Sequence, residues 1–139
     1  MTELHQVAPD LEEIGRLNAR VTTHWLELAL PPEHELPVTL ALEEILVNVI
    51  RFGHPEGGQH EILVWLSLEE GYVIAIVEDD GVPFNPLEAP EPDLYSPIET
   101  RPIGGLGIHL VRNITDGLEY RRNEGRNRLV MRKQVPRSE

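Results

Sequence analysis

Two periods of apolar spacing run through the chain. Leu11, Ile14, Leu17, Val21, Trp25 and Leu28 step by threes and fours, which predicts one apolar helical face over Leu11–Ala29. Asp10 suits the N-cap, with Glu13 three residues on as in a capping box, and Pro31-Pro32 ends the segment. Leu42, Ile45, Leu46, Val49 and Ile50 repeat the spacing and predict a second helix from about Pro37 to Phe52, with proline in its first turn. Gly53, Pro55 and Gly57-Gly58 close it.

The period then changes to two. His60–Glu69 alternates, with Ile62, Val64, Leu66 and Leu68 on one side, and Tyr72–Glu78 is the most strand-like run in the chain. Glu69-Glu70-Gly71 between them predicts a hairpin. No period is visible over the 19 residues between Phe84 and Gly104, which hold five of the twelve prolines. A loop of that length inside one domain is usually a lid or a binding loop. A third helix starts near Gly104, with Ile108, Leu110, Val111 and Ile114 apolar. Strands Leu118–Arg122 and Arg128–Gln134 follow, joined through Asn123–Asn127, and residues 2–8 suit a short first strand. Strands grouped in hairpins, with helices to cover a face, predict an α+β fold. It is a two-layer sandwich: a mixed, mainly antiparallel sheet covered on one face by about three helices.

Size and composition narrow the classes. The 139 residues suit a single domain, 1–139. A net charge of −12 argues against general nucleic-acid binding, which draws on cations that neutralise phosphates. The charge is uneven: residues 1–100 carry net −17 and residues 101–139 net +5. The basic end is either an ordinary solvated surface or lies near an anionic ligand. With no cysteine there is no disulfide framework or thiol nucleophile, which fits a cytoplasmic protein. No apolar run reaches the roughly 20 residues that a membrane-spanning helix needs. The single lysine, Lys133, lies in no Walker A loop, and none of the three serines lies in a nucleophile elbow.

Three clusters carry candidate chemistry. In Glu43-Glu44-Ile45-Leu46-Val47-Asn48, a carboxylate and an amide four residues apart share a helix face. The amide oxygen is a hard ligand that Mg²⁺ accepts, and the carboxylate can orient or deprotonate a hydroxyl. Both side chains could equally be solvent-facing. In Glu78-Asp79-Asp80-Gly81-Val82-Pro83-Phe84, a carboxylate at a strand end can accept from an exocyclic amine, or the segment is a plain turn. Gly104-Gly105-Leu106-Gly107 opens a helix whose N–H groups can hold phosphate, or it is a hinge.

The order of these clusters resembles the Bergerat ATP-binding fold of the histidine-kinase-like ATPases. Within it, the phrases ALEEILVNVIRFG, VEDDGVPFNPLEAPEPDL and RPIGGLGIHLVRNITDGLEYRRNEGRNRLVMRK are similar to the bacterial anti-sigma regulatory factors, a family of serine-protein kinases. The resemblance implies ATP and Mg²⁺ as cofactors. It makes Asn48 the Mg²⁺ ligand, Glu44 the general base and Asp79 the adenine-reading carboxylate, with Gly81 beside it. Gly105, Leu106 and Gly107 fall at the phosphates, residues of about 85–103 form an ATP lid, and Arg51 is loosely placed near the phosphates. It also implies an anti-sigma-factor antagonist as phosphoryl acceptor, a sigma factor as second client, a homodimer, and neither nucleic-acid nor membrane contact. Two positions depart from the pattern: Phe52 stands where many relatives have histidine, and Pro83 replaces a second glycine. They keep open a nucleotide-binding module that sequesters a partner without useful kinase activity. A detached histidine-kinase half is disfavoured, because no helical hairpin presents a phosphoacceptor histidine.

Overall fold

The computed structural model describes residues 2–7, 10–53, 61–88 and 105–135. Its elements are β1 (Thr2–Val7), α1 (Leu11–Glu27), α2 (Glu35–Asn48), β2 (Ile62–Glu69), β3 (Tyr72–Asp79), α3 (Gly105–Ile114), β4 (Gly117–Asn123) and β5 (Arg126–Gln134). Gly104, the turn residues Pro55 and Gly57-Gly58, and most of the expected lid, residues 89–103, lie outside the described residues.

Helix α1 starts where the cap predicts. Asp10 Oδ1 accepts from the Glu12 N–H at 2.9 Å, satisfying one donor that a helix start leaves open. The capping box does not close as expected, because the Glu13 carboxylate instead accepts from Arg16 Nη1 at 2.7 Å. The helix stops at Glu27, two residues short of Ala29. Ala29 turns left-handed at φ 53°, which buries Leu30 and lets Trp25 Nε1 donate to the Pro31 carbonyl at 2.9 Å.

Helix α2 starts at Glu35 rather than Pro37. A 3₁₀ turn over Pro32–His34 leads straight into it. Pro37 still lies in the first turn, where its missing N–H costs no helical bond. Thr22 Oγ1 donates to Glu35 Oε1 at 2.5 Å, tying α1 to the start of α2. Past Asn48 the backbone widens into a π-turn, Val49–Gly53. Such turns recur inside helices at functional sites.

The five strands form one sheet in the order β1-β2-β3-β5-β4, and every described pairing is antiparallel. Among the described residues the expected mixed character is absent, for a topological reason. Strand β4 runs parallel to β3, but the β4–β5 hairpin folds back and inserts β5 between them. Both hairpins turn on Glu-Gly: Glu70 and Gly71 at φ 51° and 84°, Glu124 and Gly125 at φ 52° and 77°. Positive φ at both central residues matches the right-handed twist of the strands. The second turn is thus shorter than Asn123–Asn127, and β5 gains Arg126 and Asn127.

Period two decides what faces the helices. Ile62, Val64 and Leu66 of β2, Val73, Ala75 and Val77 of β3, and Leu129 and Met131 of β5 are buried. Against them pack Leu17, Val21 and Trp25 of α1 and Leu42, Ile45 and Leu46 of α2. Helix α3 contributes Val111, whereas Leu110, expected on its apolar face, is 36% exposed. The same alternation carries two polar side chains, Asp79 and Asn127, to the buried face.

Core packing gives a direct test. Leu42 is fully buried and Leu36, on the same helix, is 70% exposed. Leu42→Ala is expected to cost about 2–5 kcal/mol in urea unfolding, and Leu36→Ala less than about 0.5 kcal/mol.

Candidate functional site

Among the apolar side chains of α2, Asn48 is a buried polar exception, 5% exposed. Its Nδ2 donates to the Glu44 carbonyl at 2.8 Å. That bond fixes the amide plane and reserves the amide oxygen for another partner. Glu44 is half-buried one turn earlier on the same face.

Helix α3 approaches this face with its first turn. A Cβ built on Gly107 would lie 2.3 Å from Glu44 Oε2, 3.2 Å from its Cδ and 3.8 Å from Asn48 Nδ2. No side chain fits there with Glu44 in place. The structure therefore brings Glu44, Asn48 and Gly107 together, and starts α3 at Gly105 and Leu106 immediately before. The first N–H groups of a helix have no intrahelical acceptor and carry the positive end of its dipole. This corner presents an acid, an amide and a run of backbone donors. Arg51 is exposed on the π-turn beyond Asn48. Phe52 lies in that turn, and its side chain is outside the described residues.

A second cluster sits at the ends of β3 and β5. Asp79 is 2% exposed. Its Oδ1 accepts from the Gly81 N–H at 2.8 Å and from Asn127 Nδ2 at 3.2 Å. Asn127 also donates to the Val82 carbonyl at 2.8 Å, and its Oδ1 accepts from the Phe84 N–H at 3.2 Å and the Tyr120 hydroxyl at 2.5 Å. Arg122 Nη1 donates to the Gly81 carbonyl at 2.8 Å. The segment after Asp79 is thus held by two strands. Pro83 does not loosen it, because the bonds fall on the residues either side.

The two clusters are joined through the chain that follows. A 3₁₀ turn over Pro86–Glu88 puts the Leu87 carbonyl where Arg112 of α3 donates to it. The loop after Asp79 and helix α3 are therefore tied to each other among the described residues.

Asn127, Tyr120 and Arg122 are not singled out by the sequence reading. The sequence places Asn127 at the end of the Asn123–Asn127 turn. Reading β5 two residues further back in its own period, Leu129 and Met131 inward, places Asn127 inward as well. Much of the basic C-terminal charge has an ordinary role. Arg126 and Arg128 flank Glu78 at 3.6 and 3.5 Å, and exposed pairs of this kind add little stability.

Among the described residues no group of three or more His, Asp or Glu side chains is placed to hold a metal ion. A Mg²⁺ brought by phosphates needs fewer protein ligands, and the reserved oxygen of Asn48 fits that need. The first N–H groups of α3 suit those phosphates. These residues fit a metal–nucleotide.

Burial pushes the Tyr120 hydroxyl above its ordinary value of 10.0, with the Arg122 guanidinium opposing. The unfolded chain then loses this proton at lower pH than the folded one. The resulting stability is fully present below about pH 10 and is lost as pH rises through the higher folded value. Melting temperature measured from pH 8 to 12 is expected to fall more steeply in wild type than in Tyr120→Phe.

A family model for the histidine kinase-like ATPase domain matches residues 7–133. The serine/threonine-protein kinase BtrW of Bordetella bronchiseptica is 28% identical over 94 residues, covering 68% of this chain and 66% of the relative. The serine-protein kinase RsbW of Bacillus mycoides is 27% identical over 104 residues, covering 72% and 64%. The chain spans just under two thirds of the length of both. The RsbU and RsbW domains of Rv1364c from Mycobacterium tuberculosis superpose with a TM-score of 0.71 at 13% identity, over 99% of this chain and 33% of that one. The histidine kinase domain of the blue-light activated histidine kinase EL346 from Erythrobacter litoralis gives 0.55 at 17% identity, over 90% and 60%. These two likenesses establish a shared fold. No helix among the described residues is long and apolar enough to cross a membrane.

Proposed function

The chain belongs to the histidine kinase-like ATPase domain family, and we propose that it is an ATP-dependent serine/threonine-protein kinase of the anti-sigma regulatory type. Its substrate on this reading is an anti-sigma-factor antagonist, and a sigma factor is the client held or released in the cytoplasm. The names of the serine kinase relatives support the activity and the partner class. The observation that carries the reading is the close approach of Gly107 to Glu44 and Asn48.

The parts divide the work of phosphoryl transfer, which depends on positioning and charge more than on covalent help. The buried Asp79 carboxylate accepts from the exocyclic amine of adenine, with Gly81 leaving the edge of the base room to approach. The Asn48 oxygen would hold Mg²⁺, whose charge would offset that of the triphosphate. The backbone N–H groups of Gly105, Leu106 and Gly107 face the phosphates, and the α3 dipole favours negative charge there. Glu44 would accept the proton of the partner's serine hydroxyl as that oxygen bonds to the γ-phosphorus of ATP and the bond to the bridging oxygen breaks, releasing ADP. Its carboxylate lies against the first turn of α3, which supports a base working beside the phosphate donors.

Glu44 also separates a kinase from a module that only sequesters its partner. Glu44→Gln is expected to keep ATP affinity within about twofold and to slow transfer by about 10²-fold or more. The measurement is calorimetry with Mg²⁺-ATP beside the mass shift of a serine in a candidate antagonist. Transfer unchanged by Glu44→Gln contradicts its role as base. Nucleotide binding without transfer to any antagonist favours the sequestering module. Gly107→Ala is expected to displace the Glu44 carboxylate, lowering the transfer rate at least tenfold while melting within a few degrees of wild type.

A further inference from the structure

We infer that Asn127 is a positioning residue for base recognition, which sets the orientation of the Asp79 carboxylate and latches the loop that follows it. The inference rests on the reading of Asp79 as the base-contacting group.

Asn127 lies directly across from Asp79 in the β3–β5 register, on the helix-covered face of the sheet. It is 5% exposed. A primary amide offers two donor hydrogens and two acceptor lone pairs. Here all four are used: Nδ2 donates to Asp79 Oδ1 and to the Val82 carbonyl, while Oδ1 accepts from the Phe84 N–H and the Tyr120 hydroxyl. Leucine at this position would leave each of those groups to find another partner, and aspartate would replace the two donors with acceptors.

The effect on Asp79 is geometric. A carboxylate can rotate about its last carbon–carbon bond. Two donors converge on the same oxygen, Oδ1, one from the Gly81 N–H and one from Asn127 Nδ2. With Oδ1 anchored twice, the direction of the second oxygen is determined. Asn127 also holds both sides of Pro83, so carboxylate and loop are set by one amide. Tyr120, bound to the Asn127 oxygen, makes that amide less free to turn over. A residue that determines a carboxylate's angle affects ligands that the carboxylate reads, and leaves alone those that it does not.

The experiment compares two probes by calorimetry: Mg²⁺-ATP, and the triphosphate of a purine riboside lacking the 6-amino group. Wild type is expected to favour ATP by about tenfold or more, the scale of one buried hydrogen bond to a charged group. Asn127→Asp keeps the side-chain shape and is expected to lose most of that preference, with little change in affinity for the deaminated probe. Asp79→Asn is expected to do the same. Equal loss for both probes, or an unchanged ratio in a cooperatively folded Asn127→Asp, overturns the inference. Should Asn127→Asp fail to fold, Tyr120→Phe takes its place. That variant removes one bond from the amide, and a fall in the ratio of about two- to threefold supports the inference while an unchanged ratio overturns it. If Asp79→Asn also leaves ATP binding and the ratio intact, the base-site reading fails and the inference falls with it. Loss in Asp79→Asn with an unaffected Asn127→Asp overturns the inference alone.

Discussion

The absence of a side chain at residue 107 is the constraint on which the corner formed by Glu44 and Asn48 depends. Glu44 Oε2 occupies the space that any Cβ would need. A side chain there would push the Glu44 carboxylate from its place against the first turn of α3. Two consequences follow from that contact. The Glu44 carboxylate sits at the positive end of α3, where the dipole favours it. The backbone donors of α3 face the same space as the Asn48 amide.

The other half of the account is a polar pair within an apolar layer. Asp79 and Asn127 interrupt the inward faces of β3 and β5, where valine, alanine, leucine and methionine otherwise stand. Burying such groups is costly unless each finds partners, and both do. The donors that Asn127 and the backbone supply make a buried carboxylate tolerable at this depth. The same bonds that offset the burial also hold the loop after Asp79.

Much of this was legible in one dimension. Three-four spacing found all three helices, and period two found β2 and β3 to within two residues. Glu44 and Asn48 stood out because four residues is one helical turn, and Asp79 because it ends the strongest strand. What stayed hidden depends on contacts between distant segments. The start of α2 at Glu35 follows from a 3₁₀ turn that the prolines reveal only in part. The π-turn after Asn48 is a change in backbone bonding with no residue signature. The strand order puts β5 beside β3, and only that adjacency sets Asn127 opposite Asp79. The approach of Gly107 to Glu44 spans 63 positions of chain and is invisible to any periodicity.

The central claim is that Asp79 and the Glu44–Asn48–Gly107 corner serve the two ends of one nucleotide. Backbone amide shifts followed by NMR during titration with adenosine, and then with Mg²⁺-ATP, test it most directly. The account predicts that adenosine moves the Gly81 amide and leaves Gly107 and Asn48 nearly still, and that Mg²⁺-ATP moves all three. Shifts from both ligands confined to the solvent-facing side of the sheet, or an adenosine response centred on Gly107 with none at Gly81, would contradict it.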